Sequence, residues 1–465
     1  MTIARTLADR ITALEYAGLP PAAVHWAKVG ILDTVGVTLA GSTEPAARLA
    51  AAVTATTSGP SLIFGTTQRT TPLDAALVNG AASHALDFDD CNNTIGGHPS
   101  VPILPALFAL ADARGASGRD FINAYVAGFE TETRIARGVH FHHYEKGWHP
   151  TATLGVFGAA AACARLLGLG AERTAIALAI AASFSSGIKA NFGTMVKPLH
   201  VGHCTRNGLF AALLAEQGYT ANPGALEHPQ GFLELFNGAG HYDAAKILDG
   251  WADPLDIIRP GIAIKQYPCC GSTHPALDAM LELRRKHGLK AADVAKIEAW
   301  IHSRRLAHTN RPNPNSDLDA KFSLQHCLVR ALLDGKVEIG QFENAAYRAA
   351  EVQALLPKVH VAPYDASRFD MTNHFGGEVH VTLADGRVLT EKVQQPLGRT
   401  SDNPLPPELL REKFELCAQR VLPAAVAALL ADQIDAFEQL PDVRTLTNRM
   451  ADASAPARAA APAHA

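Results

Sequence analysis

The stretch Gly147-Trp148-His149-Pro150-Thr151-Ala152-Thr153-Leu154-Gly155-Val156-Phe157-Gly158-Ala159-Ala160-Ala161-Ala162-Cys163-Ala164-Arg165-Leu166-Leu167-Gly168-Leu169 decides the fold. From Ala152 to Leu169 it is the most apolar run of the chain, yet it carries Arg165 and several glycines. A membrane span needs about 20 predominantly apolar residues, so the run reads as a buried helix. His149 stands at its entrance beside Pro150, a residue suited to a first helical turn.

Helical patterns surround this run. Leu7, Ile11 and Leu14 give a first amphipathic face. Pro20-Pro21 start a helix that ends at Gly41. Further helices are predicted over 73–86, 102–114, 119–137, 151–167, 171–185 and 201–217, several ended by glycine. The pattern changes near Ile264. Residues 294–302 and 358–362 alternate with period two, and 378–383 and 387–393 flank Asp385-Gly386 as a hairpin. Helices are expected between these strands at 275–287, 320–334 and 344–355, and helix resumes at 407–416 and 424–437.

The expected fold is therefore mainly α. A large all-helical domain (1–263) is followed by a smaller α+β domain (264–398). A helical segment (399–450) returns to the first domain, and an Ala/Pro-rich tail (451–465) is expected to be disordered.

Composition agrees with a folded chain that has a large core. Of 465 residues 48% are hydrophobic and only 18% charged. The net charge of −4 is spread without a basic stripe, which argues against a nucleic-acid partner. No membrane span is expected. The N-terminal segment lacks the apolar core of a signal peptide. The 7 cysteines are odd in number and follow no framework spacing, so a reducing, cytoplasmic setting is the simplest reading. Cys269-Cys270 matches neither metal-ligand nor redox spacing, and Cys269 fits no known nucleophile signature.

Ionisable residues recur beside prolines and helix starts. Asp87, Asp89 and Asp90 lie between His84 and His98, and three aspartates in four residues exceed what one helix cap needs. Metal-ligand spacing such as H-E-x-x-H is missing, so no metal is expected. His98-Pro99-Ser100 precedes an apolar helix. Ser100 as its cap and His98 as an anion-binding group at its N-terminus are the two readings. Lys197, in Gly193-Thr194-Met195-Val196-Lys197-Pro198-Leu199-His200, has apolar neighbours that suit a partly buried amine. Such an amine can move protons or hold a carboxylate. Arg206 follows on the same helix. Tyr144 is a candidate acid or base, whereas His142 and His143 read as exposed loop residues. His274 opens the second domain. Neither a dinucleotide fingerprint nor a P-loop is present, so no cofactor is expected.

Taken together, these motifs resemble the MmgE/PrpD family. The matching elements are Leu32-Asp33-Thr34-Val35-Gly36, Asn79-Gly80 through Asp90, His98-Pro99-Ser100 and Gly147 to Thr151. They continue with Lys197-Pro198-Leu199-His200-Val201-Gly202, Ile264-Lys265-Gln266-Tyr267-Pro268 and Ala320-Lys321-Phe322-Ser323. The family includes 2-methylcitrate dehydratase, cis-aconitate decarboxylase and iminodisuccinate epimerase. The resemblance implies a helical domain with a smaller α+β lid, a homodimer, and a cofactor-free, metal-free site. It carries that site onto Asp87, His98, His149, Lys197 and His274. Cys91 stands where the dehydratases and decarboxylases usually carry threonine, and His308 where decarboxylase-like members have tyrosine. The segment 90–98 is most similar to the epimerase branch.

The chemistry common to these enzymes is proton transfer at carbon beside a carboxylate, with the developing charge met by preorganised cations. The expectation is a two-base epimerase of a small amino or imino dicarboxylate. Lys197 and either Tyr144 or His149 would flank the carbon, and His98, His274, Arg206 and Asp87 would bind. The alternatives are a dehydratase- or decarboxylase-like lyase on a small di- or tricarboxylate, or an inactive ligand-binding paralogue.

Overall fold

The computed structural model describes residues 1–454. The described residues form two compact units: Met1–Ile264 with Thr400–Asp402 and 406–454, and Lys265–Arg399 with Asn403–Leu405.

The first unit is built of helices. Gly155–Leu166, the run that opened the sequence reading, is buried almost throughout. It packs between the helices Gly118–Val139 and Val196–Glu216. Among the described residues no helix is long and apolar enough to cross a membrane. Val196–Glu216 also crosses Pro72–His84, and two glycines set how closely. A Cβ on Gly202 would lie 2.3 Å from the Leu77 carbonyl oxygen, and one on Gly80 would lie 2.9 Å from the Gly202 Cα. Only hydrogen fits at both positions. The helix Pro407–Ala418 lies against Pro21–Gly41, so the end of the chain closes the unit that its beginning started.

Val196–Glu216 begins five residues before the expected start at 201. Pro198 is its third residue, within the first turn, where a missing N–H costs no hydrogen bond. Lys197 is thus helical and not part of an interruption. In contrast, the helix after His98 starts only at Leu104, with Ser100 main-chain oxygen accepting from Ile103 and Leu104. His98 therefore does not sit at a helix N-terminus, because a turn intervenes. The helix Pro45–Thr54 and the short strand pair Ser61–Leu62 with Arg69–Thr70 had no counterpart in the sequence reading.

The second unit carries a four-stranded sheet in the order Val359–Pro363, Val294–Ile301, Gly377–Leu383, Val388–Val393. The first pair is parallel and the other two antiparallel. Gly386, at φ +86°, turns the expected hairpin. Period-two alternation puts Val379, Val381 and Leu383 with Ile297, Ala299 and Ile301 into the core, where Leu277, Met280, Leu283 and Leu328 join them. The helix expected over 320–334 is two helices, Asp317–Ala320 and Leu324–Asp334. Ser323 separates them, its Oγ capping His326 N–H at 3.0 Å.

The last helix is Arg444–Ala453, so residues 451–453 of the expected disordered tail are helical, with Met450 buried just before them. The rest of that tail, 455–465, lies outside the described residues.

Candidate active site

The loop after Pro72–His84 gives each of its aspartates a different task. Asp87 has a left-handed backbone, φ +53°, which is uncommon for a residue with a side chain. Its Oδ1 meets Lys197 Nζ at 2.5 Å, with both side chains buried. Asp89 Oδ2 accepts from His84 Nδ1 at 2.8 Å and lies 2.9 Å from His98 Nδ1. Asp90 bonds the Ser100 hydroxyl and accepts from Ser100 N–H at 3.3 Å, and Ser100 Oγ lies 2.5 Å from Tyr125 OH. None of the three is a helix cap. Ser100 is a partner of Asp90, not a side-chain cap.

Further ties fix the surrounding motifs. His98 N–H donates to Thr151 Oγ1 at 3.1 Å, joining His98-Pro99-Ser100 to Gly147–Thr151. His149 N–H donates to Gly187 O at 3.0 Å. The His149 ring stacks on His84, centroids 5.6 Å apart, with the Phe192 ring edge-on at 4.9 Å. His149 Nδ1 lies 3.2 Å from His200 Nδ1. Lys413 Nζ pairs with Asp33 Oδ1 at 2.5 Å and donates to Phe88 O at 2.7 Å, pinning the aspartate loop from behind.

The electrostatics follow from burial and these partners. Burial holds His84 down at about 3, so a neutral ring donates Nδ1–H to Asp89. Burial alone would raise the Asp89 carboxyl, but the two imidazoles outweigh it and hold Asp89 well below the usual carboxylate range. Burial also pushes His149 well below the ordinary histidine value, and its neighbours His84, Lys197, His200 and His98 push the same way. Neutral His149 is the form that can accept a proton. Burial, with Asp33 beside it, raises Asp90 well above its usual value.

The site therefore combines a carboxylate-held ammonium, a neutral imidazole base and an imidazole braced by an ionised aspartate. That set can neutralise a substrate carboxylate and move a proton at the neighbouring carbon. His84, Asp89 and His98 also place three donor atoms within 4.8 Å, a spacing a metal ion could use. As they stand, the same atoms are joined by hydrogen bonds.

Asp87, His98, His149 and Lys197 come together in the first unit, whereas three other candidates are placed differently. Arg206 lies nine residues beyond Lys197 on one helix, half a turn round at about 100° per residue. It faces the opposite side, and its charge is felt by His203. The Tyr144 ring carries Lys189 Nζ at 3.5 Å, and the Tyr144 carbonyl accepts from the same ammonium at 2.7 Å. Tyr144 is thus a platform for Lys189. His274 belongs to the second unit, where it starts the helix His274–His287, with Nε2 3.3 Å from Cys269 O and its ring edge-on to Tyr267. His143, expected to be exposed, is buried between Asn237 Oδ1 at 2.9 Å and Thr153 Oγ1 at 2.7 Å. Sequence reasoning missed His200 and Lys413. His200 was legible in principle, because three residues after Lys197 on a helix is the same face. Lys413 was not, since no local pattern links residue 413 to residues 33 and 88.

The chain matches the MmgE/PrpD N-terminal domain over residues 5–244 and the MmgE/PrpD C-terminal domain over residues 267–438. It is 31% identical to the cis-aconitate decarboxylase of Homo sapiens, covering 98% of this chain and 96% of that protein. The corresponding protein of Mus musculus is also 31% identical, over 96% and 93%. That of Aspergillus terreus is 28% identical, over 92% and 91%. The two domain matches, which together cover most of the chain, and the near full-length similarity to these relatives make the chain a member of the MmgE/PrpD family.

Proposed function

We propose that the protein is a cofactor-independent lyase acting on a small di- or tricarboxylate, with cis-aconitate decarboxylation as the leading activity. The observation that carries this reading is the similarity along nearly the whole chain to enzymes of that name. The Lys197–Asp87 pair beside two buried imidazoles supports it. Lys197 receives a substrate carboxylate. A substrate with several negative charges raises the pKa of a nearby imidazole, so His149 or His98 enters the reaction protonated. When the C–C bond breaks and CO2 leaves, its electron pair stays on carbon, and that imidazole supplies the proton.

Epimerisation at the carbon beside a carboxylate, the expectation from sequence, is the second and less supported reading. Cys91 favours it, since threonine is usual there in the decarboxylases. Its Sγ lies 3.8 Å from His98 Nδ1, against the proposed proton carrier.

Incubation in D₂O with cis-aconitate, 2-methylcitrate and iminodisuccinate, followed by NMR, separates the readings. CO2 release with one deuteron on the new C–H bond is the expected result. Deuterium exchange in iminodisuccinate without CO2 or water loss would replace the lyase by the epimerase. Inertness towards all three would reject both.

A further inference from the structure

The adjacent cysteines that fitted no signature in the sequence have separate environments in the second unit. Cys269 is fully buried, with Sγ 3.2 Å from Thr273 Oγ1. Cys270 is half-buried, and its Sγ faces His308 Nε2 at 3.6 Å. The His308 ring is also held by the Arg304 backbone. That bond orients the ring with Nε2 towards the thiol, where it can take a proton. A nucleophile, a base within reach and a third group orienting the base are the three parts of an activated thiol. Burial alone would lower the His308 pKa, but the Cys270 sulfur outweighs it and raises it, as a thiolate beside an imidazolium does.

The surroundings are cationic. Ser272 Oγ lies 3.1 Å from His308 Nε2 and 3.4 Å from Arg305 Nη1. A Cβ on Gly271 would lie 4.0 Å from both an Arg399 nitrogen and Lys265 Cε. Cys91 offers the contrast. The ring nitrogen nearest its sulfur, His98 Nδ1, is engaged by Asp89 at 2.9 Å and is not available as a base. Cys163, Cys204, Cys269, Cys327 and Cys417 are buried.

We propose that Cys270 and His308 form a thiolate–imidazolium pair that is a covalent site for small electrophilic carboxylates, steered there by Arg305, Arg399 and Lys265. With an α-halo acid, sulfur attacks the α-carbon, the C–S bond forms, the carbon–halogen bond breaks and halide leaves. The thiol proton remains on His308. With an α,β-unsaturated carboxylate, sulfur bonds the β-carbon and the His308 proton goes to the α-carbon, so no leaving group is needed.

The test is timed labelling of the full chain with iodoacetate and, in parallel, iodoacetamide, with each cysteine read by peptide fragmentation. Cys270 is expected to label at least tenfold faster than Cys91 at pH 7. Its rate should stay high below the ordinary thiol range, and iodoacetate should gain on iodoacetamide relative to a free thiol. His308→Asn should slow Cys270 at least tenfold while Cys91 keeps its rate, and Arg305→Gln should reduce only the preference for the anion. The wild-type pH profile is an independent measure that does not require His308→Asn to fold. A Cys270 rate that follows an ordinary thiol titration, or that equals the Cys91 rate, would overturn the pair. An unchanged iodoacetate preference in Arg305→Gln would remove the steering by that arginine.

Discussion

At the residue scale, Lys197 and Asp87 form a buried pair whose members depend on each other. Removing one partner of such a pair costs about 3–5 kcal/mol, because the other is left charged and buried. Lys197→Met is therefore expected to lose both turnover, by at least ~100-fold, and stability. Lys197→Met with Asp87→Asn should regain most of the stability and none of the turnover. Asparagine tolerates the left-handed backbone of residue 87. Wild-type-like turnover in either variant would take lysine out of the chemistry. His143 gives a pH test of burial. Its folded pKa is lowered to about 4, chiefly by desolvation. The unfolded ring takes up a proton first, so His143 stabilises fully above about pH 6.5 and progressively less as pH falls towards 4. The stability gap between wild type and His143→Gln should shrink by about 2 kcal/mol from pH 7 to pH 5. Denaturant melts at the two pH values measure it, and a constant gap would mean that His143 is not the titrating group. These residue roles were only partly legible. Asp87, His98, His149 and Lys197 stood out in the sequence as polar groups among prolines and apolar neighbours, and the structure brings them together. The placement of Tyr144 and Arg206 was not legible, because nearness in sequence says nothing of the direction a side chain takes round a helix.

At the element scale, the contact between Pro72–His84 and Val196–Glu216 sets the distance from Asp87 to Lys197. Gly202→Ala would push a methyl group into the Leu77 carbonyl, 2.3 Å away. The expected cost is about 1–3 kcal/mol, with a fall in turnover even though residue 202 touches neither side chain. A thermal melt and an activity assay check both, and unchanged values would show that the helices can separate freely. Element types were legible wherever a period was strong, as in Ile3–Ala13 and the hairpin Gly377–Leu383 with Val388–Val393. Starts were less legible. The helix at Val196 begins before its apolar pattern does, since a first turn is stabilised by its neighbours and not by its own hydrophobic face. The strands Ser61–Leu62 and Arg69–Thr70, two residues each, are too short to show a period.

At the scale of the whole molecule, the change of pattern near Ile264 was plain in the sequence, but long-range pairing was not. Lys413 holds Asp33 and the Phe88 carbonyl across more than 300 positions. A chain ending before Pro407 is expected to lose the first unit's cooperative unfolding, because the helix Pro407–Ala418 covers Pro21–Gly41. Circular dichroism on heating tests this, and a transition matching the full chain would show that the helix is dispensable. Lys413 also bears on the order of events on the ribosome. At about 5–20 residues per second, the chain from Ile264 to Lys413 takes roughly 7–30 s to make. Throughout that interval Asp33 and the aspartate loop exist without their cation, so the nascent protein waits as an unfinished helical body while its second unit is being translated. The aspartate loop is among the last parts of the molecule to be fixed, although it is encoded in the first fifth of the message.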